Sequence, residues 1–292
     1  MRMILSESSV RCRQIAWAIG AALLALCLAA TSTQAAALSY TGGVYTQNFD
    51  GLPSNVNNAS QVITGKGPHE FSVVNKASGL DGWQLANPGG SSADTEFRSQ
   101  DGSLSGSTGR GVLSLGTNGS AERSLGTLAT SNQISTFGLV LKNDSQLTFT
   151  ELTLSYTGEQ WRRGDVPSPN KLAFSYGEGT GIGASLTSFA ALNFTAPNTQ
   201  ATPTNVALDG NLNANRTAIT GTITGLNWAP GETLVLRWAS QDLSGQDDGL
   251  AIDDLTFSAH VVPEPSAAAL ALLGAAGLLC AAWRRHANRA NY

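Results

Sequence analysis

The chain has 292 residues, 13% of them charged, with 32 glycines and only 3 cysteines. The segment 38–261 holds 11 basic and 19 acidic residues, a net charge of −8, which disfavours nucleic acid and anionic membrane surfaces as partners. All three cysteines (Cys12, Cys27 and Cys280) lie outside it, so thiol catalysis, cysteine zinc sites and disulfides are excluded from that segment.

The chain opens as an export leader. Arg2, Arg11 and Arg13 precede an apolar run from Ile15 to Ala30 and a small-residue region ending Ala35-Ala36-Ala37. This order predicts a signal peptide over 1–37, cut before Leu38, with Thr33-Gln34-Ala35 as the alternative cleavage site.

From Leu38 to Val261 the sequence reads as β. Gly, Ser, Thr and Asn are abundant, and no stretch keeps a helical apolar period beyond two turns. Strands are predicted at Val44–Asp50, Glu70–Val74, Gly82–Ala86, Gly111–Gly116, Ile134–Lys142, Gln146–Tyr156, Lys171–Tyr176, Ser188–Phe194, Ala218–Leu226, Glu232–Ala239 and Leu250–Ser258. Short strands at this density imply one all-β domain, a jelly-roll-like antiparallel β-sandwich over 38–261, flanked by the N-terminal signal helix and a C-terminal transmembrane helix. Within Glu232–Ala239, Leu234, Leu236 and Trp238 share one face. Two predicted strands change their apolar phase, Gln146–Tyr156 near Thr150-Glu151 and Leu250–Ser258 across Asp253-Asp254, and a phase change requires a bulge.

Two neighbourhoods could carry chemistry. Trp161, Arg162 and Arg163, placed at a strand end, could stack on and hydrogen-bond a sugar; the competing reading buries Trp161 in the core and pairs the arginines with acids. Asp247 and Asp248, with Asp253 and Asp254 shortly after, offer oxygen ligands for Ca²⁺, although the spacing is not that of an EF-hand. The competing reading is an Asp-Gly turn with Asp253 or Asp254 paired to Arg162, Arg163 or Arg237. No Gly-x-Ser-x-Gly occurs, and His69 and His260 stand isolated in the sequence, so no enzyme is expected and no cofactor beyond that calcium.

The chain closes with Val262-Pro263-Glu264-Pro265-Ser266, an apolar run from Ala267 to Trp283, and Arg284-Arg285. The prolines make an extended hinge, and the run 267–283 is just long enough for a membrane helix, which needs about 17–25 residues. The arginine pair marks the cytoplasmic side. Hinge, helix and basic stop resemble the PEP-CTERM sorting tail over 262–292. That resemblance implies recognition by an exosortase, transient anchoring in the inner membrane, and delivery to the cell surface or matrix in association with exopolysaccharide. Tyr156–Arg162 (Tyr-Thr-Gly-Glu-Gln-Trp-Arg) and Asp248–Asp254 (Asp-Gly-Leu-Ala-Ile-Asp-Asp) further resemble a jelly-roll module of surface proteins with the same tail. The function expected is structural or adhesive, against a polysaccharide-active hydrolase or a carbohydrate-binding module without catalysis.

Overall fold

The computed structural model describes residues 37–56, 59–165, 168–200 and 203–261, with 275–276 and 278–279 of the tail. The leader 1–36, the hinge Val262–Ser266, Arg284 and Arg285 lie outside the described residues. So does most of the expected span 267–283; its four described residues are helical, and among the described residues no helix is long and apolar enough to cross a membrane.

In chain order the strands are β1 (Leu38–Tyr40), β2 (Val44–Gln47), β3 (Gln61–Ile63), β4 (His69–Glu70), β5 (Trp83–Ala86) and β6 (Thr95–Gln100). They continue with β7 (Gly111–Leu115), β8 (Ser124–Leu128), β9 (Thr136–Asn143), β10 (Phe149–Arg163), β11 (Lys171–Glu178) and β12 (Thr187–Ser188). The last are β13 (Phe194–Thr195), β14 (Val206–Ala207), β15 (Arg216–Trp228), β16 (Thr233–Ala239) and β17 (Gly249–His260).

They form a jelly-roll-like sandwich of two sheets. One runs β12-β11-β16-β9-β5-β4, with β1 on β9 and β13 on β11; the other runs β14-β10-β17-β8-β7-β6-β3, with β15 on β10 and β2 on β17. Successive long strands alternate between the sheets: β9 lies in the first, β10 in the second, β11 in the first, β15 in the second, β16 in the first and β17 in the second. Each crossing carries an apolar face back to the same interior. The pairing is antiparallel except for β1 with β9 and β6 with β7.

The interior is aromatic-rich. Trp238 lies within ring-contact distance of Trp83, Phe137, Tyr156 and Phe174, and it shares its face with Leu234 and Leu236 as the strand period requires. Both expected bulges are present. The register of β10 against β15 shifts between Phe149 and Glu151. Between Ser155 and Thr157 of β10, its partner β17 advances from Thr256 to Asp253, one residue more, with Asp254 at φ 48°.

The strand bounds differ in instructive places. Glu70–Val74 is a two-residue strand followed by a 3₁₀ turn at Phe71–Val73, and Ser188–Phe194 is broken by another at Ala190–Leu192. The expected strand Gln146–Tyr156 continues to Arg163, so the Gly-Glu-Gln-Trp-Arg-Arg stretch is strand rather than loop. Residues 152–158 of β10 alternate between buried and half-buried, but from Gly158 to Arg163 every residue is buried. The same holds for β17, whose residues 249–253 are all buried before alternation resumes. These adjoining halves are covered on both faces.

Candidate functional site

The doubly covered region is where β10 and β17 lie side by side, with Thr157 opposite Asp253, Gly158 opposite Ile252 and Glu159 opposite Ala251. Gly158 faces the interior, where a Cβ would overlap the Phe194 ring. By the two-residue strand period, Glu159, Trp161, Ala251 and Asp253 face the opposite way. There Trp161 and Ala251 join Leu113, Leu115 and Leu128 in a second apolar cluster on the outside of the sheet.

The chain around Gly210 seals this cluster. The Leu208 N–H donates to the Trp161 carbonyl at 2.9 Å, and Gly210 lies so close to the indole that a Cβ would overlap it. Trp161 is therefore 1% exposed, and its indole N–H donates to Glu159 Oε2 at 2.9 Å. The sugar-stacking expectation for Trp161 is corrected by this burial, since neither ring face is presented to solvent. Arg162 and Arg163 are buried as well. Arg162 Nη1 donates to the Gly102 carbonyl at 2.9 Å, and Arg163 Nη1 pairs with Asp248 Oδ1 at 3.2 Å.

The four aspartates proposed as one calcium site separate into three environments. Asp247 and Asp248 lock the end of β10 to the start of β11: Asn170 Nδ2 donates to Asp247 Oδ1 at 2.7 Å, and the Gly164 N–H donates to Asp248 Oδ1 at 2.7 Å. Burial, with the charge of Asp242 adding, raises the Asp247 carboxyl to about 7. Asp254 is thrown outward by the bulge and is exposed. Asp253 turns instead toward Glu159 and Glu122. Residues five apart on an extended strand are about 16 Å apart, so closeness in sequence did not make a cluster here.

The arginine partner expected for Asp253 is absent. Arg163 is held by Asp248, Arg162 by backbone carbonyls, and Arg237 by Ser175 Oγ and the Ile182 and Ala184 carbonyls. Two further carboxylates gather at Asp253, while Arg216, opposite Glu159 across β10 and β15, acts on Glu159 by its charge. Glu122, Glu159 and Asp253 each place one oxygen within 4.8 Å of the other two. They come from three neighbouring segments of one sheet: Glu122 just before β8, Glu159 on β10 and Asp253 on β17. Glu122 is half-buried and accepts a bond from Asn211 Nδ2 at 2.6 Å. Glu159 is 0% and Asp253 5% exposed, and Glu159 Oε1 and Asp253 Oδ1 have no hydrogen-bond partner.

The electrostatics follow. Burial is the main cause raising Asp253 to about 9; the Asp254 N–H opposes it, and the charges of Glu159, Asp254 and Glu122 add to it. Burial likewise raises Glu159 to about 7, with Glu122 adding to the rise and the Trp161 N–H, the Ser124 hydroxyl and the charge of Arg216 opposing it. A closely spaced carboxylate pair is also the apparatus of retaining glycosidases, where about 5 Å is usual. Here Glu159 and Asp253 are buried and Glu122 is half-buried.

Glu159 and Glu122 were missed as site residues. Glu159 lay inside the stretch read for its Trp and Arg, and its alternation with Trp161 was the available signal. Glu122, in the turn-like Gly-Ser-Ala-Glu-Arg, carried none.

Fold and site together define a two-sheet, mainly antiparallel β-sandwich with a largely buried acidic centre in its second sheet. Residues 261–285 match the family model described as the PEP-CTERM protein-sorting motif. The chain thus carries the signal of an exported protein that an exosortase sorts. No curated protein matches the chain.

Similar solved structures include the CBM22-1 xylan-binding domain of Paenibacillus barcinonensis Xyn10C, 10% identical, covering 76% of this chain and 98% of that one, with a TM-score of 0.34. Another is the K2 cleaved adhesin domain of Lys-gingipain, 13% identical, covering 74% of this chain and 98% of that one, with a TM-score of 0.32. A third is the N-terminal cellulose-binding domain of Cellulomonas fimi β-1,4-glucanase C, 19% identical, covering 55% of this chain and 93% of that one, with a TM-score of 0.29. The scores are low, and the sandwich assignment rests on the chain's own strand pairing.

Proposed function

We propose that the protein is a non-catalytic structural or adhesive component of the cell surface or extracellular matrix, held there in association with exopolysaccharide. The observation that carries this reading is the junction of sandwich and sorting motif. β17 ends at His260 and the motif begins at Val261, so the last strand of the sandwich closes immediately before the hinge. β17 is an interior strand, bonded on one side to β10 and on the other to β8 and β2. Cleavage at Pro263-Glu264-Pro265 therefore leaves every described strand in place. The sandwich is cargo, and the tail is its address.

The reading is tested by cell fractionation in a host that has an exosortase, with and without its exopolysaccharide synthesis genes. Retention in the surface and matrix fraction that falls at least severalfold when the polysaccharide is missing supports the proposal. Equal retention in both strains overturns it.

A further inference from the structure

We propose that Glu122, Glu159 and Asp253 hold a divalent cation, Ca²⁺, that ties β8, β10 and β17 together within the second sheet. Two oxygens that share one Ca²⁺ at about 2.4 Å stand at most about 4.8 Å apart. The three carboxylates meet that condition, with one oxygen from each within 4.8 Å of the others. An acidic cluster alone would not make a site, because such clusters occur on many surfaces. Here Glu159 is completely buried, and its Oε1, like Asp253 Oδ1, has no hydrogen-bond partner. Buried polar atoms are nearly always satisfied, and two carboxylate oxygens in one cluster left without a hydrogen bond call for a cation between them.

Arg216, opposite Glu159 across β10 and β15, acts on Glu159 by its charge, but its Nη1 donates to the Asn211 carbonyl. Among the described residues, none of the three carboxylates forms an ion pair. The buried Arg123 directs its guanidinium to Ser114, Thr117 and Gln100. The donor set selects the ion. It is all carboxylate oxygen, with no cysteine between Cys27 and Cys280, which suits hard cations rather than zinc or copper. Mg²⁺ keeps several waters in near-ideal octahedral geometry, whereas Ca²⁺ accepts irregular and bidentate carboxylate sets. Two of the three carboxylates here are shut from solvent, and that favours Ca²⁺. The outer segment 208–211 bonds to the Trp161 carbonyl and to Glu122, one of the three carboxylates.

The test uses the full chain, melted in EDTA and again in CaCl₂, with bound calcium counted by elemental analysis and calorimetry. One Ca²⁺ per chain is expected. The melting temperature should rise by roughly 5–10 °C at a hundredfold excess over the Kd, and EDTA should reverse the rise. Asp253→Asn and Glu159→Gln keep the side-chain shapes and should abolish the calcium response. Should either fail to fold, Glu122→Gln, at the half-exposed ligand, should weaken calcium binding at least tenfold. A wild-type melting temperature indifferent to both CaCl₂ and EDTA, with no bound calcium, overturns the site. Variants that all respond like the wild type overturn the ligand set, and a MgCl₂ shift as large as that of CaCl₂ overturns the choice of ion.

Discussion

Trp161 and Glu159 stand two residues apart on the same face of β10, and the indole N–H donates to the Glu159 carboxylate at 2.9 Å. An aromatic that looked like a sugar platform thus serves as the lid and hydrogen-bond donor of a buried acid. The ring contributes apolar burial on one side and a side-chain hydrogen bond to Glu159 on the other.

Replacing Trp161 by Phe keeps most of that packing and removes the donor. A buried group left unsatisfied costs about 1–3 kcal/mol, and Trp161→Ala, which also empties the cavity, costs about 3–5 kcal/mol. Urea denaturation of the full chain measures both. Equal losses in the two variants would show that the hydrogen bond, not the packing, dominates.

Gly210 has no room for a side chain, because its Cβ would occupy the space of the Trp161 indole. Gly210→Ala is expected to push the covering segment off β10 at a cost of about 1–3 kcal/mol. The near-ultraviolet circular dichroism of the tryptophans should change with it, and an unchanged spectrum and stability would mean the segment yields freely.

Asp247 provides the pH test. Its carboxyl stands at about 7 in the folded chain against 3.8 for the unperturbed group, mainly because it is buried. Between pH 4 and 7 the folded state therefore binds more protons than the unfolded one, so this group's stabilising contribution is whole below pH 4 and is lost as pH rises through 7. Asp247→Asn can still accept from Asn170 and Leu243 and has no charge to bury. Relative to wild type the variant should gain on the order of 2–4 kcal/mol from pH 4 to pH 8. A difference that stays constant with pH would contradict the assignment.

Much of the sandwich could be read in the chain because its strands alternate. Leu234, Leu236 and Trp238 announced their common face, and the phase changes at Thr150-Glu151 and Asp253-Asp254 announced both bulges. What stayed hidden lies where alternation fails. β6 (Thr-Glu-Phe-Arg-Ser-Gln) and β8 (Ser-Leu-Gly-Thr-Leu) are polar or glycine-bearing yet almost wholly buried, because the chain covers them on both faces. The same double cover carried β10 past Tyr156 and turned the Glu-Gln-Trp-Arg-Arg stretch from an exposed end into an interior. Glu122 joins Glu159 and Asp253 only through strand pairing across the sheet, and a linear pattern holds no record of that.

The central claim, that the sandwich is cargo and the tail its address, is tested most directly by intact-mass spectrometry of the protein recovered from an exosortase-bearing host and from the same host lacking the exosortase. The account predicts that the exosortase strain yields a chain that has lost Trp283, Arg284 and everything else beyond the Pro263-Glu264-Pro265 hinge, while the deletion strain keeps them. A recovered chain that retains Trp283 and Arg284 in both strains would contradict it.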